Sequence, residues 1–594
     1  MADYEPPLWD MEFALDATAR INEIAGYPGF DAFDPEMVEP VLSEAGRFIQ
    51  DTIAPLNRNS DTQGARWQED NSVQTPDGFS DAYGAYVEAG WGAVPFDPAY
   101  GGGGFPWTLA LAIQEMMNSA CMSFALCPLL TQGAIDLLSH HGSEEQKETW
   151  LAKLVSGEWS ATMNLTEPDA GSDVGALRSK AEPVGDGTYR ISGQKIFITY
   201  GEHDMTDNIV HLVLARTPDA PPGTKGISTF IVPKFLLDDA GQPSVRNDVS
   251  CVSIEHKLGI HGSPTCVLSF GETEGAIGYL IGEENRGMAY MFTMMNNARL
   301  SVGTQGLAIA ERAYQDAVDY ARERKQGRAL GAAAGTASPI VEHPDVRRML
   351  MTMKAYIEAM RGLAYLDAAA VDGETHHPDE GSRSRAGERA ALLTPITKGW
   401  CTDIGCEMTS LAIQVWGGMG FVEESGVAQH FRDARINPIY EGTNGIQALD
   451  LVARKLPLRG GAAIEELLDE VDATATAATG ALPGCGTPLA EANEKMRSVT
   501  ADLATQMSAS PVEGFAGATP YLRMIGQVLG GWVLTAQALV AQERIDAGDT
   551  DPRLALKVQT AEFYCTQLLP LAAGYAPSVL ASSGQLMDVG ADQF

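Results

Sequence analysis

The sequence predicts a mostly helical α+β protein built from four successive regions, and three observations predict it. At 594 residues the chain is longer than one hydrophobic core can serve. Apolar side chains recur at helical spacing up to about residue 158 and again from about residue 283. Between these limits the texture changes to short β-branched and aromatic runs separated by Gly, Pro and Asp. The expected domains are an N-terminal helical domain (1–158), a small middle β-domain of barrel or sandwich form (159–282), a helical bundle (283–456) and an extra helical domain (457–594).

In the first region, residues 36–50 carry Met37, Val41, Leu42, Ala45 and Ile49 on one helical face, and residues 109–138 hold two helices' worth of apolar side chains. The AYGGGGFPW run between them lacks a G-K-[ST] ending and a preceding strand, so it reads as a turn rather than a phosphate loop. Met116, Met117, Cys121 and Met122 read as core, with an apolar substrate slot as the alternative.

The β-domain is announced by YRISG, KIFIT, NIVHLVLA, GISTFIVP and VLSF. Its opening, MNLTEPDAGSDV, offers the hydroxyls of Thr166 and Ser172 and glycine-exposed backbone N–H groups. That combination suits a flat, polar heterocycle; the alternative is a surface loop with an Asx turn at Asp169 or Asp173.

In the third region, residues 299–325 keep an apolar stripe, and 392–416 form a long helix stopped by Gly417 and Gly418. The stretches GRALGAAAGTASPIVEHP and DGETHHPDEGSRSR are expected as loops between long helices, with His376 and His377 solvated in the second and no metal site. Residues 437–447, NPIYEGTNGIQ, place Glu441 between bulky Tyr440 and permissive Gly442. A glutamate in an apolar setting has its pKa raised toward the working pH and can take a proton from a weak carbon acid. The last region opens on RGGAA and continues through acidic helices broken by GALPGCGTP, with a packing or dimer-covering role expected for it.

Composition limits the function classes. Charged residues at 20% and hydrophobic ones at 45% describe a folded globular chain rather than a disordered one. The net charge of −37, without a long Lys/Arg cluster, fits a well-hydrated acidic surface and argues against nucleic acid. MADYEPPLWD shows no basic stretch followed by an apolar core, so a cytoplasmic location is expected. The eight cysteines include no C-x-x-C pair, and reduced thiols are expected. Met524 to Gln542 carries no charge and approaches spanning length, but its three Gln, one Thr and three Gly favour a buried helix over a membrane span.

Seven motifs, in this order, carry a family resemblance over roughly residues 40–456: MNLTEPDAGSDV, GQKIFIT, KLGIHGSPT, NNARLSVGTQGLA, YARERKQ, QVWGGMGF and IYEGTNGIQ. The chain resembles the acyl-CoA dehydrogenases, and its length and extra C-terminus resemble the family's larger members. The resemblance implies a four-helix bundle for the third region and FAD bound by the β-domain and the bundle. It places Leu165, Thr166 and Ser172 toward the flavin ring and substrate, and Phe197 and Thr199 beside the ring. Arg324, Gln414, Gly417 and Gly418 are implied to bind the pyrophosphate and adenosine of a neighbouring subunit's FAD, with Thr443 and Gln447 also near the cofactor. Ser172, Asn296, Arg299, Tyr440 and Gly442 are the implied substrate contacts, and Glu441 the catalytic base.

The implied reaction is α,β-dehydrogenation to a trans-2-enoyl-CoA, with an electron-transfer flavoprotein as acceptor and a homodimer or homotetramer as the working assembly. Among the larger members, 3-methylmercaptopropionyl-CoA is the implied substrate. Another short- or medium-chain acyl-CoA, a flavin oxidase, and a non-catalytic nucleic-acid-associated relative are the alternatives. Some relatives carry the base just before the bundle arginine; here that residue is Ala298, which leaves Glu441. Departures from the family pattern are Asn296 where an acid is often found, His261 where Arg or Lys is common, and no aromatic after Gln326.

Overall fold

A computed structural model describes residues 3–332 and 335–594; Met1 and Ala2, and Ala333 and Ala334 of the expected 327–344 loop, lie outside the described residues. The chain divides into two compact units: Glu44–Phe105 with Met116–Ser301, and Met1–Ser43 with Pro106–Glu115 and Val302–Phe594.

The first unit is centred on an eight-stranded sheet: β1 (Trp159–Asn164), β2 (Lys180–Pro183), β3 (Thr188–Thr199), β4 (Asn208–Ala215), β5 (Ser228–Pro233), β6 (Val249–Ile254), β7 (Thr265–Phe270) and β8 (Ala276–Leu280). Their order is β6-β7-β3-β8-β5-β4-β1, with β2 also paired to β3. Strands β1 and β4 run parallel, from Trp159 opposite Asn208 to Asn164 opposite Val213. Strand β4 is buried along its whole length, which is why NIVHLVLA is a continuous apolar run and not an alternating one. Strand pleating sends its side chains to two cores. Val210, Leu212 and Leu214 join Leu151, Trp150 and Met294, while Val213 and Ala215 join Phe230, Val249 and Leu268.

The second unit is helical. Its main elements are α1 (Leu8–Ala17), the first turns of α2 (Trp107–His141), most of α3 (Gly287–Glu323), α4 (Pro344–His376), α5 (Glu380–Trp416), α6 (Asn444–Asp450), α7 (Ala462–Ala481), α8 (Pro483–Ala509), α9 (Ala518–Asp546) and α10 (Pro552–Phe563). The bundle and the C-terminal extension share one continuous core, in which Leu307, Met360, Trp400 and Ile404 meet Leu467, Val499, Ile525 and Tyr564. A Cβ on Gly526 would lie 2.3 Å from the Trp400 ring, so this contact requires glycine. The uncharged 524–542 stretch is thus the middle of a core helix. Among the described residues, α2 and α9 are long and apolar enough to cross a membrane, and their apolar windows are 94% and 83% buried.

Residues 109–138 hold two helical segments, as the sequence reading expected, joined within α2 at Cys121, whose backbone is extended (φ −157°, ψ 94°). Element boundaries differ from the sequence reading in three places. Helix α3 begins at Gly287, twelve residues before the stripe that revealed it, because Gly287–Ala298 mixes Met with polar residues and shows no clear face. The expected 372–385 loop shrinks to His377–Asp379: Asp379 caps α5 by accepting from the Ser382 N–H at 2.8 Å, and the preceding residues finish α4. His376, in the last turn of α4, is hydrogen-bonded to the Pro28 carbonyl at 2.9 Å. Likewise GALPGCGTP is no loop, since only Leu482 separates α7 from α8.

Candidate active site

The nine residues Arg435–Thr443 connect helix Val427–Ala434 to α6. Glu441 (φ 55°) and Gly442 (φ 84°) are two successive left-handed residues here. Glycine takes that conformation freely, whereas a glutamate held there is strained by roughly 1–3 kcal/mol and persists only if its surroundings fix it. Several contacts do so. Thr443 caps α6, its hydroxyl accepting from the Ile446 N–H at 3.3 Å. The Gln447 amide donates to the Glu441 and Gly442 carbonyls, both at 3.2 Å. Tyr440 donates its hydroxyl to Gln305 on α3. Burial, reinforced by the neighbouring Glu441 charge, pushes the Tyr440 phenol well above its ordinary pKa, so it remains a donor. Within the chain Glu441 is half-buried.

In the β unit, the loop after β1 is fixed by a buried ion pair. The Glu167 carboxylate accepts from the Lys195 ammonium (2.8 Å), the Arg178 and Ser179 N–H groups (2.6 and 3.0 Å) and the Ser179 hydroxyl (2.6 Å). Burial favours the neutral acid, but Lys195 and these donors win and hold Glu167 below its ordinary pKa. Burial lowers Lys195 to about 8, against the pull of Glu167. The same ammonium donates to the Leu165 carbonyl at 3.1 Å, and the Ile196 N–H to the Thr166 carbonyl at 2.9 Å.

Beside that loop the β3–β7 ladder slips. Lys195 pairs with Leu268 and Ile198 with Cys266, so Ile196 and Phe197 together face Val267. This bulge puts Phe197 in the left-handed region (φ 59°) and turns its ring outward, 58% exposed, although the residue lies inside a strand. Leu165 is buried, Thr166 and Thr199 are half-buried, and Ser172 is exposed farther along the loop. On α3, Arg299 is buried with its guanidinium 5.9 Å from the Phe292 ring, and the exposed Asn296 accepts from it at 3.5 Å.

Comparison with known proteins decides what this arrangement is. The chain is 45% identical to the 3-methylmercaptopropionyl-CoA dehydrogenase of Ruegeria pomeroyi, over 95% of this chain and 96% of that one. It belongs to the acyl-CoA dehydrogenase family. The N-terminal, middle and C-terminal domain descriptions of acyl-CoA dehydrogenases match residues 37–158, 162–273 and 285–456, and an acetyl-CoA dehydrogenase C-terminal-like description matches 467–590. A butyryl-CoA dehydrogenase of Syntrophomonas wolfei is 34% identical over 98% of both chains. The acyl-CoA dehydrogenase of Bacillus anthracis, solved with FAD, shares the fold (TM-score 0.73, 22% identity, 98% of this chain and 93% of that one).

Acyl-CoA dehydrogenases are FAD-dependent oxidoreductases, and the residues present fit a flavin. Phe197 offers an exposed aromatic face, with the hydroxyls of Thr166 and Thr199 on the neighbouring backbone. At the base turn, Gln447 Oε1 and Asn437 Nδ2 are buried with no hydrogen-bond partner among the described residues, as expected where a polar heterocycle completes the bonding. A third group closes the ends of α3 and α5. Trp416 stacks on Tyr320 at 4.1 Å, and the adjoining Arg324, Gln414, Gly417 and Gly418 are all exposed. A Cβ on either glycine would meet nothing within 4 Å, so the backbone there is open to a ligand.

The candidate residues therefore fall into sets: the base turn, the Phe197 bulge with its loop, the Asn296–Arg299 pair and the helix ends. Sequence reasoning missed the braces, namely Glu167 with Lys195, Gln305, and Asn444, whose side-chain amide donates to Asp403 on α5 at 2.7 Å. A lone lysine within the apolar GQKIFIT run was the available signal for Lys195. Nothing local marks the others.

Proposed function

We propose that this acyl-CoA dehydrogenase acts on 3-methylmercaptopropionyl-CoA, with Glu441 as the base. The observation that carries the base assignment is the braced left-handed turn: a glutamate is held in strained backbone by the bonds of Thr443, Gln447 and Tyr440 around it. The Glu441 carboxylate removes the α-proton of the thioester. The Glu441 N–H donates to the thioester carbonyl, stabilising the negative charge that grows on its oxygen as the proton leaves. FAD, when bound, supplies the acceptor for the β-hydrogen as hydride. Leu165, Thr166, Phe197, Thr199, Thr443 and Gln447 hold the ring region, and Arg324, Gln414, Gly417 and Gly418 the pyrophosphate and adenosine. Tyr440, Gly442, Ser172, Asn296 and Arg299 contact the substrate. Asn296 stands where an acid is often found, so it offers the pantetheine arm an amide in place of that carboxylate.

The helix-end group leads to a homodimer or homotetramer in which this surface serves a neighbouring FAD; Phe421, three residues after Gly418, is 90% exposed in the single chain. An electron-transfer flavoprotein is the acceptor, and the setting is cytoplasmic dimethylsulfoniopropionate catabolism. The specific substrate rests on the name of the 45% identical relative; the 34% identical one carries the name of butyryl-CoA, the competing short-chain reading. Purified holoenzyme assayed with an artificial acceptor should turn over 3-methylmercaptopropionyl-CoA with a higher kcat/KM than butyryl- or hexanoyl-CoA. The reverse order would reject the methylthio assignment and leave the family activity intact. Glu441→Gln should retain bound flavin and lose about 10³-fold or more in kcat. Near-normal turnover would reject Glu441 as the base.

A further inference from the structure

We propose that the C-terminal extension has a part in positioning the base, and that Arg523, Asp403 and Asn444 are the positioning residues through which it does so. The inference rests on Glu441 being the base. Asn444 is the first residue of α6, immediately after the turn. Its backbone N–H donates to the Pro438 carbonyl at 3.0 Å, closing the loop that contains Ile439 to Thr443. Its side chain fastens that closed loop to α5. The amide nitrogen donates to Asp403 Oδ1 at 2.7 Å and, at 3.0 Å each, lies on the Thr402 hydroxyl and the Gly399 carbonyl. The amide oxygen accepts from the Lys398 ammonium at 2.8 Å. Four consecutive-turn groups of one helix therefore converge on one asparagine, and none of these bonds is needed to start a helix that Thr443 already caps.

The extension reaches the same point by two independent contacts. Arg523 on α9 sets its guanidinium 3.7 Å from Asp403 Oδ2, the carboxylate whose other oxygen holds Asn444, and also bonds Glu407 one turn along. Its neighbour Leu522 presses on the α5 backbone at Gly399, where a Cβ would come within 2.8 Å of the leucine Cδ1. Gly399 is the residue whose carbonyl receives the Asn444 amide. The extension thus fixes both the charge and the backbone on which the turn is hung, and a chain without it would lack that brace.

The test uses holoenzyme and two readouts, steady-state kinetics and amide hydrogen exchange of the peptide covering 438–443. Asn444→Ala should lower kcat about tenfold or more with KM within about threefold, the pattern of a misplaced catalytic group, and should speed exchange in 438–443 selectively. Arg523→Met should move both readouts the same way by about threefold, and Arg523→Lys, which restores the charge beside Asp403, should recover most of the loss. Arg544→Met removes another ion pair of the same helix, that with Asp16, and should change neither readout. Should Asn444→Ala fail to fold with flavin, the Arg523 variants carry the test alone. Wild-type kcat and exchange in Arg523→Met, or equal effects of Arg523→Met and Arg544→Met, would overturn the proposal. Glu441→Gln in parallel separates the two readings: an inactive Glu441→Gln beside an unaffected Asn444→Ala removes only the brace, whereas an active Glu441→Gln removes the base assignment itself.

Discussion

The base turn and the Phe197 bulge make the same demand on the backbone and meet it with different chemistry. Each holds a large non-glycine residue at a φ near +55° to +59°, a conformation that is unfavourable by roughly 1–3 kcal/mol. The groups that touch the turn are neutral, the Thr443 hydroxyl and the amides of Gln447 and Asn444, although Asn444 is itself anchored on the charged Lys398 and Asp403 of α5. The bulge is held by strand register and, next to it, by the charged Glu167–Lys195 pair, whose partners are 7% and 0% exposed. Neutral hydrogen bonds are individually weak. A buried ion pair is strong as a unit but vulnerable to the loss of either member.

The largest expected difference follows from that contrast. Lys195→Met leaves the Glu167 carboxylate buried with its cation gone, and should destabilise the β unit by about 3 kcal/mol. The double variant with Glu167→Gln should recover part of the loss, because no buried charge then remains. Denaturation of the apoprotein followed by β-unit exchange measures both. A loss below about 1 kcal/mol in Lys195→Met would show that the loop is held by its backbone bonds alone, with the ion pair adding only what an exposed one does.

Acidification should separate the two units next. Burial pulls His203 and His211 in the β unit down to about 3, helped by Lys234 and Arg246 respectively. Their folded pKa values lie below the unfolded value of 6.5, so the unfolded chain binds more protons. Stability of the β unit is therefore fully present above pH 6.5 and falls as pH drops, by about 1.4 kcal/mol per pH unit for each histidine. The helical unit holds the opposite kind of group. Burial raises Asp372 to about 6 and Asp367 to about 8, so their contribution is greatest in acid and is lost as pH rises through those values. Exchange corrected for its intrinsic pH dependence, compared at pH 5 and pH 8, should show the β unit loosening at pH 5 and the helices around Asp367 and Asp372 loosening at pH 8. Parallel behaviour of the two units would break the comparison.

How much of this was legible in the sequence follows the same division. Strands and long helices were readable because burial imposes a period, as in NIVHLVLA and the 299–325 stripe. The family motifs carried Glu441 and Phe197. The short connections were misjudged because Gly, Ser and Pro serve helix ends as well as loops. In the stretch GALPGCGTP, a Cβ on Gly486 would lie 2.3 Å from the Thr479 backbone nitrogen, so this glycine permits a tight helix–helix turn rather than marking a loop. The braces were hidden for a different reason. Asn444 acts through Lys398, Thr402 and Asp403, more than forty positions away, and Lys195 through Glu167, 28 positions away. No local pattern encodes such pairs.

The smallest effect separates ring from scaffold at the bulge. Phe197→Gly removes the strain, since glycine accepts φ 59° without penalty. Glycine also adds freedom to the unfolded chain, which offsets the relief by roughly 0.5–1 kcal/mol. The apoprotein should therefore keep its stability within about 1 kcal/mol, in contrast to Lys195→Met. Flavin affinity should nevertheless fall about tenfold, the scale of one lost aromatic contact. Titration of apoprotein with FAD measures the affinity, and thermal melting measures the stability. A variant that binds FAD normally would mean that the strain at Phe197 serves the strand register and not the ring, and would leave the exposed phenyl without a cofactor role. A variant that loses stability by several kcal/mol would mean instead that the phenyl braces the bulge, making the two strained sites alike in requiring a side-chain support of their own.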